Sequence, residues 1–108
     1  MTEIRLIDYV TAEGRKPYPE WLRNLRDRQN ANIIRSHVER MRLGNFGDHR
    51  SVGEGVCERR IHIGPGFRVY YLHDGAELVI LLCGGDKGSQ ARDIEKAKAY
   101  AADYWRRK

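Results

Sequence analysis

Apolar positions along this chain follow first one period and then another, and the changes of period divide it into elements. Residues 3–9, EIRLIDY, alternate apolar with polar side chains and predict a strand. Residues 11–18, TAEGRKPY, contain Gly14 and Pro17 and predict a loop. Pro19 suits the first turn of a helix, where its missing N–H costs little, and Trp21, Leu22 and Leu25 then share one helical face. A break is expected around Asp27–Asn30. A second helix follows, carried by Ile33, Ile34, Val38 and Met41, and Gly44 is expected just past its end, with 45–48 as a loop. His37 borders that apolar stripe and reads as a packed or partly exposed helix residue rather than a catalytic one.

The period then shortens to that of strands. Val56–Ile63 predicts one strand, Gly64-Pro65-Gly66 a turn, and Phe67–Leu72 a second strand. Asp74-Gly75 marks a tight turn, and Glu77–Cys83 a third strand whose continuous apolar run Leu78–Leu82 marks it as central in its sheet. Ser89 is placed to cap a final helix with apolar positions Ala91, Ile94, Ala97, Ala101 and Tyr104 or Trp105; Arg106-Arg107-Lys108 suit its C-terminus. The order β-α-α-β-β-β-α segregates helices from strands. It predicts an α+β domain over residues 1–108 with a mainly antiparallel sheet flanked by helices.

Composition adds a few bounds. With 108 residues, 41% of them apolar, the chain can build one hydrophobic core. No stretch has the length of a membrane span, and the start, MTEIRLIDYV, lacks the layout of a secretory signal, so a cytoplasmic location is expected. The formal charge of +5 favours a polyanionic partner such as RNA, DNA or an acidic protein, although ordinary proteins also carry such a surplus. Cys57 and Cys83 form no CxxC pair, and His37, His49, His62 and His73 show no zinc-ligand spacing. No metal or cofactor is expected.

Parity sorts the charges on the sheet. Ile61 and Ile63, with Phe67, Val69 and Tyr71, are expected toward the core. Glu58, Arg60 and His62, with Arg68 and Tyr70, are expected on the opposite face. Two arginines, a histidine and a tyrosine on one face can grip a phosphate backbone and stack a base. The same residues also fit a plain solvated face with a Glu58–arginine pair. Arg59 falls by parity on the core side, so it is expected to snorkel at the sheet edge. The loop Gly84-Gly85-Asp86-Lys87-Gly88-Ser89 lacks the Walker A order; its glycines and Lys87 can approach an anion, or they simply connect strand to helix.

Three segments together resemble one known group: 53–61, GEGVCERRI; 64–71, GPGFRVYY; and 82–90, LCGGDKGSQ, with Asp93-Ile94 and Lys96-Ala97. Upstream, Trp21-Leu22, Leu25-Arg26-Asp27 and 43–48, LGNFGD, resemble it too. The group is the HigB-like addiction module killer proteins of the RelE/ParE toxin superfamily. The resemblance implies a RelE-like fold and a type II toxin, held inactive by a cognate antitoxin, often a small helix-turn-helix protein. It further implies a metal-independent endoribonuclease that cuts mRNA on the ribosome. Within it, Arg68 and Arg60 are expected to stabilise the scissile phosphate and Lys87 to add a charge or a proton. Tyr70 and His62 are expected as stacking or acid/base groups, and Arg59, Arg23 and Arg26 as RNA contacts. Two alternatives stay open: a ParE-like inhibitor of DNA gyrase, and a non-catalytic RNA-binding module. The ending Tyr104-Trp105-Arg106-Arg107-Lys108 matches no catalytic terminus, and its aromatics are read as packing residues.

Overall fold

Five strands form one sheet in the order β1-β5-β4-β3-β2, with helices packed on both of its faces. This computed structural model describes residues 3–108; Met1 and Thr2, included in the expected 1–108 domain, lie outside the described residues. The strands are β1 (Arg5–Asp8), β2 (His49–Gly53), β3 (Val56–Ile61), β4 (Phe67–His73) and β5 (Leu78–Asp86). The helices are α1 (Pro17–Asn24), α2 (Arg28–Glu39) and α3 (Gln90–Arg107). The α+β class and the mostly antiparallel sheet agree with the sequence; β1, parallel to β5, is the exception.

The element order needs one correction. His49–Gly53 is a strand that sequence periodicity does not reveal. HRSVG has no apolar alternation, because β2 is an edge strand whose first three residues face solvent. The first helix also starts earlier than Pro19, because Pro17 takes the first-turn position and brings Tyr18 into the core. Asp27 caps α2 by accepting from the N–H groups of Gln29 and Asn30, and Gly44 ends the following 3₁₀ turn (Arg40–Leu43) at φ +84°.

Each sheet face has its own core. On one side Tyr18, Leu22, Ile34, Val38 and Met41 of the helical pair pack on Ile61, Phe67, Val69, Tyr71, Val79 and Leu81. On the other, Ala97 and Ala101 of α3 pack on Val56, Tyr70, Leu72, Ile80 and Leu82. The second face, expected to be open, is therefore mostly covered. β5 does lie inside the sheet, as its apolar run requires.

β5 carries an extra residue: Tyr70 pairs with Cys83, but Tyr71 pairs with Leu81. This bulge reverses the facing of the strand's remaining residues. Gly84 then lies under the Trp21 indole, where an added Cβ would come within 2.2 Å of the ring. Gly85 lies under Asp93, with its own Cβ position 1.8 Å from Oδ2. These two glycines are thus packing positions for α1 and α3, and the phosphate cradle is not needed to explain them. Gly84→Ala is expected to destabilise the fold by roughly 1–3 kcal/mol, since a rigid indole must move. Urea unfolding measures this, and an unchanged midpoint would contradict the assignment.

Candidate functional site

The sheet face covered by α3 opens into a cleft at the Gly64-Pro65-Gly66 end of the β3–β4 hairpin. There Arg60, His62, Arg68 and Lys87 line one open cleft of about 410 Å³. Arg60 and Arg68 are direct cross-strand partners. Like charges placed opposite one another destabilise a sheet, so this pair requires compensation. Two carboxylates supply it.

Asp48, in the loop before β2, accepts from Arg60 Nη2 at 2.8 Å and contacts His62 Nε2 at 2.6 Å. Its backbone carbonyl accepts the Arg60 N–H at 2.8 Å, which fixes the loop to β3. The hydrogen bonds from His62 and Arg60 hold the Asp48 carboxyl below the ordinary aspartate range. His62 is otherwise exposed. With Nε2 engaged by Asp48, the tautomer that donates to the carboxylate leaves the Nδ1 lone pair free.

Glu58 compensates Arg68 from below. Its side chain is wholly buried, with Oε1 accepting from Arg50 Nε at 3.0 Å. Oε2 accepts from Gln90 Nε2 at 2.8 Å and from the Tyr70 hydroxyl at 3.1 Å, and lies 3.6 Å from Arg68 Nε. Burial alone would push this carboxyl up; the hydrogen bonds from Gln90, Arg50 and Tyr70 outweigh it and leave the pKa lowered. Arg68 Nη1 also donates to the Gly66 carbonyl at 3.1 Å, and the Lys87 N–H reaches the same oxygen at 2.9 Å. The turn thus ties Arg68 and Lys87 to one anchor. Arg60 Nε and Arg68 Nε are buried without a hydrogen-bond partner among the described residues.

Of the residues expected from the sequence, Arg60, His62, Arg68 and Lys87 come together and Tyr70 does not. Tyr70 shares their face, but α3 covers it completely; its hydroxyl serves Glu58, and burial together with that carboxylate pushes its pKa up. A buried ring cannot stack a base, so Tyr70 does not fill the expected stacking role. Arg59 is likewise too buried for the expected RNA contact. It is 2% exposed, held under Gly47 rather than at a sheet edge, and it donates to the Asn45 carbonyl at 3.3 Å with Nη2 2.9 Å from His37 Nδ1. His37 is therefore a partly buried packing partner, as its helical position suggests. Arg23 and Arg26 are exposed, but neither lines the cleft.

Asp48 was hidden from sequence reading because a loop residue reaches its partners only through the fold. Glu58 carried a signal, since its two-residue spacing from Arg60 puts both on one face. The Ser89 hydroxyl contacts Asp93 Oδ2 at 2.5 Å, and Asp86 provides the cap at this turn by accepting the Ser89 N–H. Tyr104 donates to Asp74 at 2.6 Å and so fastens α3 to the β4–β5 turn, in keeping with a packing role.

Chemically, the cleft offers three cations for an anion and an imidazole with a free nitrogen beside them. No family model matches the chain. It is 43% identical over 86 residues to an uncharacterized protein of Haemophilus influenzae, an alignment covering 80% of this chain and 87% of that protein. The chain belongs to the same family as that protein. Among the described residues, no helix is long and apolar enough to cross a membrane.

Proposed function

We propose that this family member is the toxin of a type II toxin–antitoxin system, with a RelE-like fold and ribosome-dependent mRNA endoribonuclease activity in the cytoplasm. The observation that carries the reading is the cleft itself: Arg60, Arg68 and Lys87 around one opening, with the His62–Asp48 pair at its wall. Cleavage of RNA by its own 2′-OH needs a base, a group that stabilises the phosphorane, and an acid for the leaving oxygen. His62 Nδ1 takes the 2′-OH proton while Asp48 steadies the imidazolium. The 2′-oxygen bonds to phosphorus, and the Arg68 and Arg60 guanidiniums hold the equatorial oxygens. The bond to the 5′-oxygen breaks, and the Lys87 ammonium supplies that oxygen's proton. The products are a 2′,3′-cyclic phosphate and a 5′-hydroxyl.

Purified protein incubated with translating ribosomes should give discrete new 5′-hydroxyl ends by primer extension, and its cognate antitoxin should abolish them. Intact mRNA together with blocked gyrase supercoiling would instead establish the gyrase-inhibitor alternative; neither effect would leave an RNA-binding module. Within the same assay, Asp48→Asn is expected to slow cleavage roughly 10²-fold, because His62 loses its orienting carboxylate and Arg60 its ion pair. The acid limb of the pH–rate profile should change with it. An unaltered profile would remove Asp48 and His62 from the proton transfer.

A further inference from the structure

The sheet has two open edges, and they are built differently. β2 is polar, mostly exposed and bulged between Ser51 and Gly53, the features by which edge strands avoid pairing. β1 is only four residues long and carries Arg5 and Asp8, but it is unbulged and half of it is sheltered. Arg5 and Tyr9 donate their N–H groups to the carbonyls of Glu77, just before β5, and of Leu81 within it, so the alternate residues Leu6 and Asp8 turn their backbone groups outward. The Ile4 N–H, outward by the same alternation, already pairs with the Arg42 carbonyl at 2.8 Å. Ile7 and Val10 flank this edge as exposed apolar side chains, each 39% accessible.

Beneath the edge, on the α1/α2 side, runs a groove of about 370 Å³. Leu6, Leu22, Val38 and Leu81 give it an apolar floor. Tyr18 lines it too, and its hydroxyl is buried without a hydrogen-bond partner among the described residues. Arg23, Arg28, Arg35 and Arg42 surround it, against Asp8 and Glu39. Arg28, Arg35 and Arg42 recur every seven residues, which puts them on one side of α2 and its 3₁₀ extension. Arg28 Nη1 is engaged by the last carbonyls of α1, and Arg42 by Glu39. Arg35 donates only to the Asn32 side chain, and neither it nor Arg23 pairs with a carboxylate among the described residues.

We infer that the β1 edge and its arginine-rimmed groove form a docking site for an extended, acidic–apolar segment of a partner protein, which adds to the sheet as a sixth strand. Backbone pairing with Leu6 and Asp8 gives the register, and side-chain alternation sends every second residue into the groove. Apolar residues reach Leu6 and Leu81, and carboxylates meet Arg23 and Arg35. A second copy of this chain fits less well. It would bring another arginine-rimmed edge against the first, between molecules that each carry +5. The inference is separate from the ribonuclease reading and stands or falls without it.

The test uses the full chain and a fluorescein-labelled ten-residue peptide in which every second residue is in turn Leu or Glu, with Thr between them, so that one face carries both; its Leu–Lys counterpart is the control. Saturable binding by anisotropy is expected for the acidic peptide alone, weakened at least about tenfold by Arg23→Glu with Arg35→Glu. Amide exchange at Leu6 and Asp8 should slow on binding. Both substitutions are exposed, so a folded variant is readily checked by circular dichroism. Equal binding of the Leu–Lys peptide, or no binding up to about 1 mM, overturns the inference. So does an edge already protected in peptide-free protein that sediments as a dimer, which would assign it to a second copy.

Discussion

Replacing Arg68 with alanine is expected to lower mRNA cleavage by roughly 10²–10³-fold, the effect of deleting one preorganised donor to a developing oxyanion. Arg68 has the strongest geometric claim to this role. Its guanidinium is held from two sides, by the Gly66 carbonyl at 3.1 Å and by Glu58 at 3.6 Å, while still lining the cleft. Little rotamer freedom is left to lose when a phosphate arrives. Arg60 opposite has its own carboxylate in Asp48, so it does not simply replace the lost charge. Arg68→Lys should recover only part of the activity, since an ammonium lacks the planar fork that matches two phosphate oxygens. Single-turnover cleavage on ribosomes, with circular dichroism to confirm folding, reads both variants. Undiminished cleavage by folded Arg68→Ala protein would remove the arginine from the chemistry.

Parity places Arg60 and Arg68 on one face because strand alternation is local and strict, and that part of the site is legible; His62 lies just past β3, which ends at Ile61 rather than at the expected Ile63. Parity does not say what covers a face. Tyr70 therefore had the same sequence credentials as Arg68, two residues away, and only the fold separates them: Tyr70 is buried in the core shared with α3, whereas Arg68 still reaches the cleft at the turn. Arg59 shows the converse. Its parity pointed correctly to the core side, and the expected escape to an edge fails because α2 and the Gly47 loop close over it. β2 and Asp48 escaped for related reasons. A polar edge strand has no hydrophobic signal, and Asp48 meets His62 across fourteen residues of chain. The element order was otherwise readable because each helix and interior strand carries its own apolar stripe.

Glu58 offers the largest expected effect on stability. Its carboxylate is fully buried and engages Arg50, Gln90 and Tyr70, with Arg68 close by. Truncation by Glu58→Ala removes the counter-charge of the largely buried Arg68 side chain and leaves the fully buried Tyr70 hydroxyl without its acceptor. Breaking a buried pair in this way costs about 3–5 kcal/mol. Arg50, nearly half exposed, can turn to water and adds little to that cost. Urea midpoints should record the loss, and Glu58→Gln, which keeps volume and some hydrogen bonds, should lose less. The pH dependence has a definite sign. The folded carboxyl lies below its unfolded value, so Glu58 contributes its full stabilisation above about pH 4.5 and loses it as the pH falls through the folded pKa. The acid-side decline should flatten in Glu58→Gln. Pairing Glu58→Gln with Arg68→Met separates structure from chemistry: removing both charges should restore part of the stability, because a neutral buried pair carries no stranded ion. Cleavage should stay as low as in Arg68→Ala. Recovery of activity along with stability would mean that Arg68 supports the fold and takes no part in the reaction.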